Sequence, residues 1–154
     1  MTTTTHKRSV HIDAPVETVF DYVQEPEHFY EAMAQTQKHP EKAEPSTVLT
    51  GVTRTPGGAV SSYTWKSGGL LGFHIGAVMT REESVPNERI VDHSSTGPLW
   101  TYTFEPDQTG TTLSLAYEWS TKMPLVDKAI DRVAWNGDRD LDTMLAHFRS
   151  AIEA

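Results

Sequence analysis

Seven histidines stand at positions 6, 11, 28, 39, 74, 93 and 147, and no two are four apart, the spacing at which a helix offers two ligands to one metal. With no cysteine in the chain, thiolate ligands and thiolate nucleophiles are also excluded. The pattern predicts no metal site. Serines occur at 61, 62, 94 and 95 without the Gly-x-Ser-x-Gly elbow that exposes a nucleophile at a strand-to-helix turn. Gly68-Gly69-Leu70-Leu71-Gly72 is glycine-rich, but no helix follows whose amides would cradle a phosphate, so it reads as a strand connection bordering a cavity mouth. Glu17, Asp21, Glu25, Glu27 and Glu31, like Glu82 and Glu83, read as solvated faces and turns. Asp92 and His93 are adjacent, and neighbouring residues of a strand point to opposite faces, so only one of them can enter an interior. His93 reads better as a surface or satisfied histidine than as a general base. These residues identify no catalytic group and no cofactor motif.

What the chain does offer is large apolar and aromatic side chains at alternate positions. Tyr63 and Trp65 share one strand face, as do Phe73, Ile75, Ala77 and Met79. Trp100, Tyr102 and Phe104 share another, and Leu113, Leu115, Tyr117 and Trp119 a fourth. Each alone reads as ordinary core. As a set turned inward they carry Tyr OH and Trp NH groups that need partners, which a ligand or trapped water would supply. The expected ligand-contacting residues are therefore Tyr63, Trp65, Phe73 and Ile75, then Trp100, Tyr102, Tyr117 and Trp119, with Gly137 and Leu141 from a C-terminal helix. Gly137 interrupts a buried helical stripe at a cost of about 1 kcal/mol relative to alanine. A strand or a ligand approaching closely would account for it, as would a tolerated defect.

The elements that must position these residues follow from periodicity. Residues 8–12 alternate as a first strand. Asp13 is placed to cap the helix that follows, Pro15 has a preset φ, and Val16, Val19, Phe20 and Val23 form its buried stripe. Pro26 opens a second short helix to about Met33. Between Thr47 and Thr121, β-branched and aromatic residues alternate with polar ones, and the turn residues predict strands at 47–54, 59–67, 72–83, 89–96, 99–105 and 111–121. From Pro124, Val126, Ile130, Val133, Gly137, Leu141, Met144, Phe148 and Ile152 recur at helical spacing, predicting one helix over 124–152, about 40 Å long. Trp135 falls off that stripe and reads as a rim residue.

At 154 residues without a linker-like stretch, the chain reads as one domain over 1–154, and 37 % hydrophobic with 22 % charged residues is the balance of a protein with a packed core. The formal net charge of −8 opposes phosphate backbones, so no nucleic-acid partner is expected, and no apolar run suits membrane insertion. The threonine-rich start lacks the apolar segment of a signal peptide, which makes the cytoplasm the expected location. Self-association is left open.

A strand, two helices, an antiparallel meander and a long helix predict an α+β fold in which a curved sheet grips the last helix. In this order the chain resembles the SRPBCC or START-like (helix-grip) superfamily, which includes polyketide cyclases/dehydrases and lipid-transfer domains. The resemblance is carried by Val10-His11-Ile12-Asp13-Ala14-Pro15-Val16-Glu17-Thr18-Val19-Phe20, by Pro26-Glu27-His28, by Val85-Pro86-Asn87-Glu88-Arg89-Ile90 and by Phe104-Glu105-Pro106 before Gly110-Thr111. It implies a hydrophobic cavity between sheet and C-terminal helix, holding a lipid, polyketide, quinone or aromatic metabolite. It does not choose between a binder or carrier and a cyclase or dehydratase acting in the same cavity.

Overall fold

The computed structural model describes residues 2–36, 47–67, 75–95, 97–121 and 137–154. In chain order these form β1 (Thr2–Ile12), α1 (Val16–Val23), α2 (Pro26–Ala34), β2 (Thr47–Arg54), β3 (Val60–Ser67), β4 (Ile75–Val85), β5 (Arg89–Ser94), β6 (Leu99–Pro106), β7 (Thr111–Thr121) and α3 (Gly137–Glu153). The seven strands make one antiparallel sheet in the order β1-β7-β6-β5-β4-β3-β2. Strands β2 to β7 are a meander, and β1 returns beside β7, in register from Thr2 opposite Thr121 to Ile12 opposite Thr111. This is the α+β helix-grip arrangement.

Two elements depart from the expectation. β1 begins at Thr2, six residues earlier than its apolar alternation, because β-branched threonines suit a pleated strand and β7 offers eleven consecutive partners. Asp13 does not cap α1: the N-cap position is Pro15, with no side-chain cap bond, while the Asp13 carboxylate hydrogen-bonds His11 Nε2 at 2.7 Å. The C-terminal helix is described from Gly137, and its expected first part, 124–136 with Trp135, lies outside the described residues.

α3 lies over β1 and β7 and against α1 and α2. Its Leu141, Met144, Leu145 and Phe148 are buried and join Ile12, Val19, Phe20, Phe104, Leu113 and Leu115 in the core. α2 packs toward β2 and carries Phe29 and Tyr30 inward. The sheet is thus covered from two ends: α3 over β1 and β7, and α2 toward the opposite edge at β2.

One surface cluster ties the start of the fold to a distant turn. His11 Nδ1 meets the Asp107 carboxylate at 2.6 Å, while Thr109 Oγ1 lies 3.0 Å from His11 Nε2. Asp107 also accepts hydrogen bonds from the amides of Thr109 and Gly110 and from the Thr112 hydroxyl. Hydrogen bonds to Asp107 and then Asp13 raise His11 above the ordinary histidine range. Burial alone would raise Asp107, but its bonds from His11 and Thr112 outweigh that and hold it low. A raised histidine stabilises the fold fully below its unfolded pKa of about 6.5, and that contribution is lost as pH rises through the folded value. The difference in denaturation midpoint between the native chain and His11→Ala should therefore shrink as pH is raised from about 6.5. An NMR titration placing His11 at or below the ordinary value would overturn the assignment.

Candidate functional site

Strand alternation and register assemble the concave face. Arg81 of β4 lies opposite Asp92 of β5, Asp92 opposite Trp100 of β6, and Trp100 opposite Tyr117 of β7, so these four form one row across the sheet. Ile90, Tyr102 and Leu115 form the next row, and Tyr63, Met79 and Ser94 lie on the other side. Phe29 descends from α2 onto this face, its ring centroid 6.0 Å from Tyr63 and 5.3 Å from Trp100, both edge-on. Trp100 meets Tyr117 at 4.7 Å, and Tyr102 meets Phe148 of α3 at 6.4 Å. Edge-to-face contacts of this kind fix ring orientation as well as burying area.

A polar cluster lies at the centre of this aromatic surface. Arg81 donates to Asp92 through Nε at 2.9 Å and Nη2 at 3.1 Å, a two-bond fork between side chains that are 4 % and 1 % exposed. The Tyr63 hydroxyl donates to Asp92 Oδ2 at 2.8 Å, and the guanidinium lies 6.0 Å from the Tyr63 ring centroid. Arg81 Nη1 donates to the carbonyl of Gln24, the C-cap of α1, at 2.9 Å. A cation at a helix C-terminus is favoured by the helix dipole, so this bond also locks the sheet to the joint between α1 and α2.

A bulge in β4 sets this geometry. Arg81 pairs with Asp92 while Glu83 pairs with Val91, which leaves Glu82 as the extra residue. Glu82 turns outward to His93, Oε1 to Nδ1 3.0 Å, and both are about half exposed. The adjacent pair is thereby resolved: Asp92 faces in and His93 faces out.

Burial, followed by the charge of Asp92, pushes the Tyr63 and Tyr102 hydroxyls well above the ordinary phenol range. For Arg81, burial works to lower the pKa, but the hydrogen bonds and charge of Asp92 outweigh it and raise it. The site is therefore one ion pair flanked by protonated phenols. Asp92 already accepts three hydrogen bonds, two of them from Arg81, which leaves about one of its four lone-pair positions open. The phenols are built to donate. Among the described residues no group of three or more histidine, aspartate or glutamate side chains is arranged to hold a metal ion.

Of the expected ligand-contacting residues, Tyr63, Trp100 and Tyr102 are buried in this face and Tyr117 is half-buried beside them. Leu141 is buried in the core on α3. Trp119 is half-buried near the β5–β6 turn, where Gly97, at φ 120°, would bring an added Cβ within 3.3 Å of the indole Nε1. Gly137 faces the His6 ring on β1, which occupies the space a Cβ would need. The close approach at Gly137 is thus made by the ring of His6, which lies opposite Tyr117 at the β1 end of the row that holds Arg81, Asp92 and Trp100. Phe73 and the side chains of Trp65 and Ile75 lie outside the described residues.

Sequence reasoning missed Phe29, Arg81 and Asp92. The signal for Asp92 is its shared parity with Ile90 and Ser94, but Val91 beside Ile90 is also apolar and both are buried, so alternation did not choose a face. Arg81 shares parity with buried Met79, but a charged residue in a strand reads as solvated until its partner is known.

A profile of the family described as polyketide cyclase / dehydrase and lipid transport matches residues 3–153. No curated protein matches the sequence. Among solved structures, an uncharacterized protein from Rhizobium leguminosarum is similar at 17 % identity and TM-score 0.64, covering 99 % of this chain and 95 % of its own. A polyketide-cyclase-like protein from Corynebacterium glutamicum is similar at 19 % identity and TM-score 0.57, with 97 % and 91 % covered. A Thermus thermophilus protein aligns at 14 % identity and TM-score 0.62, with 98 % and 97 % covered. At these identities the likeness is one of fold.

Proposed function

The chain belongs to the polyketide cyclase / dehydrase and lipid transport family, and from that membership we propose that it binds or carries a small hydrophobic molecule between its sheet and its helices. The observation that carries this reading is the concave face itself. Tyr63, Trp100, Tyr102 and Tyr117, faced by Phe29, combine broad apolar walls with a single polar cluster, the composition of a small-molecule site rather than of a purely aliphatic core. The ligand class is a lipid, polyketide, quinone or aromatic metabolite. A net charge of −8 argues against nucleic acid, and among the described residues no helix is long and apolar enough to cross a membrane. The reading takes residues 1–154 as one cytoplasmic domain.

A second reading, a cyclase or dehydratase in the same place, is favoured by one observation: a buried carboxylate, Asp92, hydrogen-bonded to a phenol. The occupation of that carboxylate by Arg81 puts the binder first. The test is titration with prodan, an uncharged naphthyl ketone dye whose emission reports polarity. One saturable site is expected, and Tyr117→Ala should weaken it about tenfold. Because Tyr117 is half-buried, its truncation should cost less than the roughly 3 to 5 kcal/mol of a fully buried aromatic. Absence of a saturable site, with Tyr117→Ala losing stability on that full scale, would remove both readings.

A further inference from the structure

We propose that the site selects ligands whose buried polar group is uncharged, such as a ketone, phenol or alcohol, and rejects carboxylates and phosphates of the same size. The inference rests on the binding reading above and narrows its ligand class. Its basis is the charge arrangement of the concave face.

Among the described residues Arg81 is the arginine on that face, and its charge is already matched, while His6, opposite Tyr117 at the end of the same row, is held by Asp138. Two of its nitrogens are held by Asp92 and a third by the Gln24 carbonyl, with the guanidinium and carboxylate buried together. The other arginines in ion pairs, Arg8, Arg54, Arg89, Arg139 and Arg149, keep about half of their side chains in solvent, paired to acids of their own. Beside Asp92, the other acidic residue buried among the described residues is Asp140, on α3. A ligand carboxylate entering the aromatic face would thus be desolvated, with no unmatched arginine among the described residues to receive it, next to the negative Asp92. Charges buried in that way are strongly disfavoured. A neutral carbonyl or hydroxyl meets no such opposition, and the site retains donors for it: Arg81 has N–H groups beyond the three in use, and the Tyr102 hydroxyl stays protonated.

The test uses three naphthalenes of similar size, 2-acetylnaphthalene, 2-naphthoate and 2-ethylnaphthalene, each displacing prodan at pH 8. The ketone should bind at least about tenfold more tightly than the carboxylate, with the hydrocarbon between them. Asp92→Asn leaves the Arg81 charge unmatched and should reverse the order, so that naphthoate binds best. If that variant does not fold, the native protein suffices: between pH 5 and 7 the apparent affinity for naphthoic acid should fall about tenfold per pH unit, because only the protonated acid enters. Naphthoate binding as tightly as the ketone, or with an affinity flat in pH, would overturn the inference and leave the binding reading standing. Failure of all three compounds and of prodan to bind would overturn both.

Discussion

Asp92→Ala is expected to lower folding stability by about 3 to 5 kcal/mol, the range found when one partner of a buried ion pair is removed. The loss is not the strength of the pair. Truncation strands the Arg81 guanidinium in the interior with one remaining bond, to the Gln24 carbonyl, and deprives the Tyr63 hydroxyl of its acceptor. A double replacement, Arg81→Met with Asp92→Leu, removes both charges at once and should recover most of the loss, because similar apolar volumes avoid the desolvation that each ion requires. Tyr63→Phe gives up one hydrogen bond to a charged group and should cost about 1.5 to 3 kcal/mol. Urea denaturation of the four proteins measures all three values. Equal losses in the single and double variants would show that the pair is not coupled as its geometry requires.

Phe148→Ala is the second large effect, at about 3 to 5 kcal/mol. Phe148 has no exposed surface and is the ring through which α3 meets both other layers, 6.2 Å from Tyr22 of α1 and 6.4 Å from Tyr102 of β6. Its removal leaves a void bounded by three elements that cannot all close on it, which is why the cost should exceed the transfer energy of the ring alone. Leu141→Ala, seven residues earlier on the same buried stripe, falls in the range of about 2 to 5 kcal/mol. Arg149→Ala on the opposite, exposed face should change stability by no more than about 0.5 kcal/mol, since its pair with Glu153 is half in solvent. A midpoint shift for Phe148→Ala no larger than that for Arg149→Ala would mean that α3 does not dock through this stripe.

The strand boundaries from Thr47 onward were legible within a few residues because each is set locally, by a turn residue such as Asn87, which sits at φ 64°, and by alternation between turns. The aromatic rows were legible for the same reason, since parity along a strand is a property of the chain alone. The failures share a different cause. Asp13 looked like a helix cap, but a cap depends on which donors compete for its carboxylate, and the winner, His11, belongs to a cluster completed by Asp107. Gly137 was legible as a place of close approach, whereas the identity of the neighbour, His6, depends on the pairing that lays β1 beneath α3.

By itself, the sequence determined the order of elements, the antiparallel meander, the apolar stripe of α3 and the inward parity of Tyr63, Trp100, Tyr102 and Tyr117. These are short-range consequences of backbone geometry and solvent avoidance, each readable within a dozen residues. Tertiary structure alone decided where charge could be buried. Whether Asp92 or His93 enters the interior depends on the extra residue at Glu82, on an arginine eleven positions away in the chain that lies directly across the strand pair, and on the α1 carbonyl that receives its third nitrogen. A buried ion is tolerated only when all of its partners are assembled at once, and that condition belongs to the folded molecule rather than to any segment of it.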